Sequence, residues 1–159
     1  MPITCTPAEA AALVRPVDRI GFGLGPANPD AFLSALGGRD DWEDLVFGGA
    51  LLLNYYDVLT KPGVSYRCGF FGPAERILLS GGHRIEHVPG GFRQFAPILE
   101  RFAPRIMVAQ GTPPDAGDRG GGPAVRRDGH AWSGSPGRRI LGVAHRRIVP
   151  ARSRARNGR

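Results

Sequence analysis

Three glycines set two apart, Gly21, Gly23 and Gly25, with Pro26 and Asn28 close behind, form the stretch of this 159-residue chain whose residue types and spacing could hold an anion. Glycine has no Cβ, so the backbone of such a loop can close on a phosphate or carboxylate. A helix opening directly after it adds unpaired N–H groups and the positive end of its dipole. Asn28-Pro29-Asp30 reads as that opening: Asn28 as N-cap, Pro29 at the first helical position where no N–H is needed, Asp30 at the positive end. Asp115, at the carboxyl end of a later apolar run, stands where α/β folds bind ligands. The loop is not a dinucleotide fingerprint. Pro26 occupies the place of a third glycine, and the apolar run over 45–53 ends without a ribose-binding acid. A tight strand-to-helix crossover that holds no ligand accounts for the same residues, and both readings stand at this point.

Other reactive side chains form no constellation. His83 and His87 have the spacing of neither a zinc site nor a triad, and Ser34, Ser65 and Ser80 lack a nucleophile elbow. Cys5 and Cys68 form no CxxC pair, which supports neither a disulfide framework nor a metal site and makes the cytoplasm the default compartment. The glutamates are Glu9, Glu43, Glu75, Glu86 and Glu100. Glu75 and Glu100 read as solvated helix-face positions and Glu86 as a strand position; none has the setting of an activated nucleophile. Trp42, Tyr55 and Tyr56 flank predicted strands and read as packing. No catalytic residue and no metal ligand is assigned.

The elements that would position the loop follow from periodicity and punctuation. Thr6-Pro7-Ala8-Glu9 is a capping box that starts a short helix ended by Pro16. A strand over 17–20 leads into the glycine loop and a helix that stops at Gly37-Gly38. The continuous apolar run over 45–53 predicts a strand buried on both faces, as in parallel sheets. A polar connection over 54–63, a strand over 66–71 with Cys68 in the core, and a helix over 74–79 come next. They are followed by a strand over 84–88, a helix over 92–102 and a strand over 105–110. Strands alternating with helices at these lengths predict an α/β fold with a mostly parallel sheet and βαβ crossovers.

Charge divides the chain. Residues 1–118 hold ten basic and thirteen acidic side chains, a net of −3, whereas residues 119–159 hold eleven arginines and one acid, Asp128, a net of +10. With eight glycines and few apolar residues, this tail cannot bury enough surface to offset chain entropy. It is expected to be disordered, with at most one short element over 140–149. Its charge would attract polyanions, DNA and RNA included, without sequence preference. The start of the chain lacks a signal-peptide layout, and no apolar run approaches the ~20 residues of a membrane helix, so no membrane association is expected.

Four segments in this order carry a resemblance. They are the loop Gly21-Phe22-Gly23-Leu24-Gly25-Pro26 with its helix, Phe70-Phe71-Gly72-Pro73, Ile85-Glu86-His87-Val88-Pro89 with the helix through Phe95, and the strand from Ile106 leading to Pro113-Pro114-Asp115. Together, residues 1–118 resemble the N-terminal half of the acetyl-CoA hydrolase/transferase family, the class I CoA-transferases that include 4-hydroxybutyrate CoA-transferase. The resemblance implies an acyl-CoA and a carboxylate as substrates, no cofactor beyond the CoA thioester itself, and Gly21, Gly23, Gly25, Pro26, Asn28 and Asp115 on the substrate side. It also implies a glutamate that attacks the thioester carbonyl, and that residue belongs to a second half which the stretch after Asp118 does not continue. The sequence therefore reads as an incomplete CoA-transferase-type domain over 1–118 followed by a disordered or frame-shifted tail over 119–159. Such a chain is expected to be inactive alone, and to need a second half or another copy to cover Leu51, Leu53, Phe70, Met107 and Val108. The alternatives are a nucleic-acid-binding protein acting through the tail and a small CoA- or nucleotide-binding module.

Overall fold

A computed structural model describes residues 5–111 and 139–144. Its centre is a parallel sheet in the order β4-β3-β2-β1-β5-β6. The strands are β1 Val17–Phe22, β2 Asp44–Gly49, β3 Val64–Cys68, β4 Ile85–His87, β5 Ile106–Gly111 and β6 Arg139–Ala144. The helices are α1 Pro7–Ala11, α2 Asp30–Gly37, α3 Pro73–Ser80 and α4 Phe92–Phe102. Every neighbouring pair of strands is parallel, from Val17 opposite Asp44 at the β1–β2 seam to Gly111 opposite Ala144 at the β5–β6 seam. The fold is therefore the α/β architecture with βαβ crossovers that the alternation predicts. The one short element expected over 140–149 corresponds to β6. The other tail residues, and Asp115, lie outside the described residues.

Chain direction dictates which helix covers which face. From β1 the chain steps outward through β2 and β3 to β4, and then returns across the sheet to β5 on the other side of β1. Right-handed crossovers put the outward connections on one face and the return connection, α4, on the opposite face. Strand alternation shows the same division. Ile20, Phe22, Leu45, Phe47, Val64, Tyr66, Cys68, Ile106 and Val108 point into a core closed by Phe32, Leu33 and Leu36 of α2 and Leu78 of α3. Gly21, Gly48 and Gly69 point the other way: a Cβ on Gly48 would lie 2.6 Å from the Phe102 ring and one on Gly69 2.7 Å from Phe95, both on α4.

Several boundaries differ from the sequence expectation. β1 runs on through Gly21 and Phe22, which pair with β5, so the loop proper begins at Gly23. The apolar run over 45–53 is not one strand: β2 ends at Gly49, and Leu51 turns the chain with φ 47°. The amides beyond it are drawn out of the sheet direction by partners elsewhere, Leu51 donating to the Phe70 carbonyl at 3.3 Å and Leu52 to the Glu75 carboxylate at 2.7 Å. β3 begins earlier and stops at Cys68, short of Phe70. The connection over 54–63 contains a 3-10 turn, Asp57–Thr60, that buries Val58 and Leu59, with Tyr56 buried just before it. Val108 belongs to the core rather than to an uncovered surface, whereas Leu53 is exposed.

The starts of β1 and β5 are tied by an ion pair between Arg105, just before β5, and Asp18, whose side chain is only 2% exposed. The Asp18 carboxylate also accepts the Arg15 and Arg19 amides at 3.1 and 2.9 Å. Burial would raise this carboxyl, but the Arg105 guanidinium and the two amides outweigh it and hold it below the usual range. A depressed folded-state value contributes stability above the unfolded carboxylate value of about 3.9, and that contribution is lost as pH falls through the folded value. Asp18→Asn is expected to lower unfolding stability by about 3 kcal/mol at pH 7 and to flatten the decline in acid. Urea unfolding at pH 7 and pH 3 measures both effects.

Candidate functional site at the carboxyl edge of the sheet

The loop after β1 is held by its own backbone. Gly23 donates its N–H to the Val108 carbonyl at 3.1 Å, and Gly25 donates to the Leu51 carbonyl at 3.1 Å. Gly25 has φ +51°, and a Cβ on Gly23 would stand 2.6 Å from Ala27, so these two positions favour glycine for conformation and for close approach. Gly25 and Pro26 start a 3-10 turn, Gly25–Ala27. The amides of Gly23 and Gly25 are thus engaged by protein carbonyls, and the loop offers a ligand a close-packed wall. Gly21 lies within β1, against Met107 and Pro104.

Asn28 is not the N-cap. Pro29 occupies that position without a side-chain bond, and α2 starts at Asp30. The Asn28 side chain turns back instead, its Nδ2 donating to the Gly23 carbonyl at 2.7 Å while its Oδ1 accepts the Leu53 amide at 3.1 Å. One buried amide therefore ties the loop after β1 to the loop after β2. Asp30 accepts the Tyr56 hydroxyl and the Asn54 side-chain amide, which places a carboxylate at the positive end of α2.

Glu75 corrects the sequence reading more sharply. Its side chain is fully buried, not on a solvated face. Oε1 accepts the Leu52 amide at 2.7 Å and Oε2 the Gly72 amide at 3.0 Å. Two signals in the sequence point to this: Glu75 stands at the third helical position after Gly72-Pro73, where a carboxylate reaches back to the N-cap amide. It also lies three residues before the fully buried Leu78, on the same side of the helix. Burial, reinforced by the Glu75 charge, pushes the Cys68 thiol up to about 12. Cys5 is exposed and Cys68 buried. A thiol reagent at pH 8 is therefore expected to modify one cysteine per native chain rapidly and the second only after unfolding, as counted by absorbance with and without denaturant.

On the α4 face, the strand ends and the helix enclose a cavity of about 580 Å³. Gly48, Gly49 and Gly69 form its floor, Phe95, Ile98, Leu99 and Phe102 its roof, Phe22, Leu24 and Met107 one end, and Arg67, Glu86 and Arg101 its polar rim. Arg67 and Glu86 are paired at 2.8 Å. Arg101 has no acidic partner among the described residues. Phe70, Phe92 and Phe95 pack with ring centroids 5.6 to 5.9 Å apart at the mouth, and Phe92 is 76% exposed. This volume and lining are typical of small-molecule sites. The fold locates it sensibly: strand order reverses between β1 and β5, and ligands of open α/β sheets bind outside the carboxyl ends at such a switch. Of the substrate-side residues expected from sequence, Gly23 lines the cavity, Gly21, Gly25, Pro26 and Asn28 do not, and Asp115 is outside the described residues. Arg67, Arg101 and the apolar face of α4 were not anticipated. The four apolar residues of the roof at 95, 98, 99 and 102 have the helical spacing that would have marked this face.

Among the described residues no group of three or more His, Cys, Asp or Glu side chains could hold a metal, and no helix is long and apolar enough to cross a membrane. No protein-family model matches the chain, and no curated protein does. Among solved structures the chain is similar to RipA from Yersinia pestis, with a TM-score of 0.56 and 24% identity over 70% of this chain. That likeness shows the fold. The chain spans 30% of the length of RipA.

Proposed function

We propose that this chain is the acyl-CoA-binding half of a CoA-transferase or acetyl-CoA hydrolase-type protein. In this reading it holds a CoA thioester at the carboxyl edge and leaves the attacking carboxylate to a second half or partner chain. One observation carries the reading: the apolar cavity of about 580 Å³ opens at that edge with Arg101, a cation that has no acidic partner among the described residues, on its rim. An apolar volume suits the acyl and pantetheine part of a thioester, and a guanidinium suits its phosphates. The resemblance of residues 1–118 to the N-terminal half of the family supplies the reaction class. The two cysteines, unbridged, fit a cytoplasmic setting.

Calorimetric titration with acetyl-CoA, butyryl-CoA, free CoA and ATP tests this. Saturable binding of the thioesters is expected, weakened at least tenfold by Arg101→Glu. Equal binding of all four ligands, or of none, overturns the reading.

The tail supports a second reading, polyanion binding, on its net charge of +10 over residues 119–159. The full chain is expected to bind single- and double-stranded nucleic acid alike, with affinity falling steeply between 50 and 200 mM salt. Fluorescence anisotropy at several salt concentrations reads this out. Sequence-selective binding that survives high salt would promote nucleic-acid recognition to the main role.

A further inference from the structure

The two faces of the sheet are filled to different extents. On the α2 face, Ile20, Leu45, Phe47, Tyr66 and Ile106 are fully buried. On the α4 face the strands present glycine at 21, 48 and 69, and the helix above them touches down through Phe95 and Phe102 only where no Cβ intervenes. Between these contacts the cavity stays open. Among the described residues this leaves a cleft of about 580 Å³ with apolar walls, a size and lining typical of small-molecule sites.

Its extent says which kind. The lining runs from Met107 on β5 past β1, β2 and β3 to Glu86 on β4, four strand spacings, or about 19 Å across the sheet. A space that reaches across the sheet, apolar along its walls and with charged groups at its rim, suits a hydrocarbon chain with one anionic or polar end. Of the two arginines on the rim, Arg101, in the last turn of α4, has no acidic partner among the described residues, whereas Arg67 already has Glu86.

We propose that the space between α4 and the glycine floor binds the straight hydrocarbon chain of a fatty carboxylate or its thioester, with the polar end at Arg101. The proposal deepens the function above, from which it takes only that the ligand is an acyl compound. It makes chain length the property that this fold selects. Each methylene entering the cavity is worth about a fourfold gain in affinity until the space is full.

The test is calorimetry on the full chain with the saturated C4, C6, C8, C10 and C12 carboxylates below their micellar concentrations, and with octanoyl-CoA beside free CoA. Dissociation constants are expected to fall about fourfold per methylene and then level off. Ile98→Trp, which fills the cavity, is expected to make the series level off at a shorter chain. Arg101→Glu is expected to weaken every carboxylate by a similar factor and to leave octanol unaffected. If Ile98→Trp fails to give a cooperative melt, Leu99→Trp serves the same purpose. Affinity independent of chain length, or a chain-length gain untouched by the filling variants, overturns the proposal; the latter is adsorption to the surface. Length-dependent binding of free carboxylates without thioester binding keeps this site and removes the CoA reading. Thioester binding with no gain from acyl length does the reverse.

Discussion

Glu75→Ala is expected to destabilise the fold by about 4 kcal/mol, because it leaves two buried amides, those of Leu52 and Gly72, without acceptors and opens a void beside Leu78. Each unsatisfied buried donor costs about 1–3 kcal/mol, and a domain of this size has about 5–15 kcal/mol in all. The loop after β2 would lose one of the two side-chain acceptors that hold its backbone amides, the other being Asn28. Glu75→Gln keeps one carbonyl acceptor but turns an NH2 group toward the remaining amide, so an intermediate loss is expected. Removing the charge also removes an influence that raises Cys68, so the thiol of Glu75→Gln should titrate lower than in the parent. Urea unfolding gives the stability and pH-dependent thiol labelling the titration. A Glu75→Ala variant within 1 kcal/mol of the parent would show that water or other groups satisfy the two amides and that the carboxylate is dispensable.

Glu75 also marks the limit of what was legible. Residue periodicity and punctuation locate every helix and strand within a few residues. Thr6 to Glu9 forms the predicted capping box, and α4 occupies the predicted range, Phe92–Phe102. These signals are local, and helix caps and apolar spacing report on a few neighbours at a time. The misreadings are long-range. Asn28 has the chemistry of an N-cap, yet its side chain is claimed by Gly23 and by Leu53, 25 residues on. Glu75 has the composition of a surface residue and is claimed by the loop after β2. The apolar run over 45–53 looks uniform and is broken at Leu51 by the same partners. Such side-chain-to-backbone ties follow from which loops the sheet order gathers at its carboxyl edge, and the reversal between β1 and β5 is not written in any one segment. The cavity was hidden for a related reason. Gly48 and Gly69 lie inside the predicted strands over 45–53 and 66–71 with nothing to mark them, and only the crossing of α4 above them turns missing side chains into space.

Purified alone, the chain is expected to give no CoA transfer above the uncatalysed rate, a deficit of about a millionfold or more relative to an enzyme. Transfer by way of a glutamyl intermediate needs a carboxylate that can reach the thioester carbonyl, with its oxygens free to form the new bond. The five glutamates fail this for separate physical reasons. Glu9 bonds the Thr6 amide at 2.7 Å in its capping box. Glu43 and Glu100 are exposed and away from the cavity lining. Glu75 has both oxygens engaged in the interior. Glu86 lines the cavity but has an oxygen engaged by the Arg67 guanidinium at 2.8 Å. The measurement is exchange of labelled butyrate into acetyl-CoA, with and without a separately expressed second half from a CoA-transferase. No exchange alone and exchange on mixing are expected, since the nucleophile then arrives from the added chain. Exchange by the chain alone that survives repeated purification would contradict this. Glu86→Gln would then identify the source: loss of that exchange would make Glu86 the nucleophile and the chain a self-sufficient enzyme, while its persistence would point to a contaminating transferase.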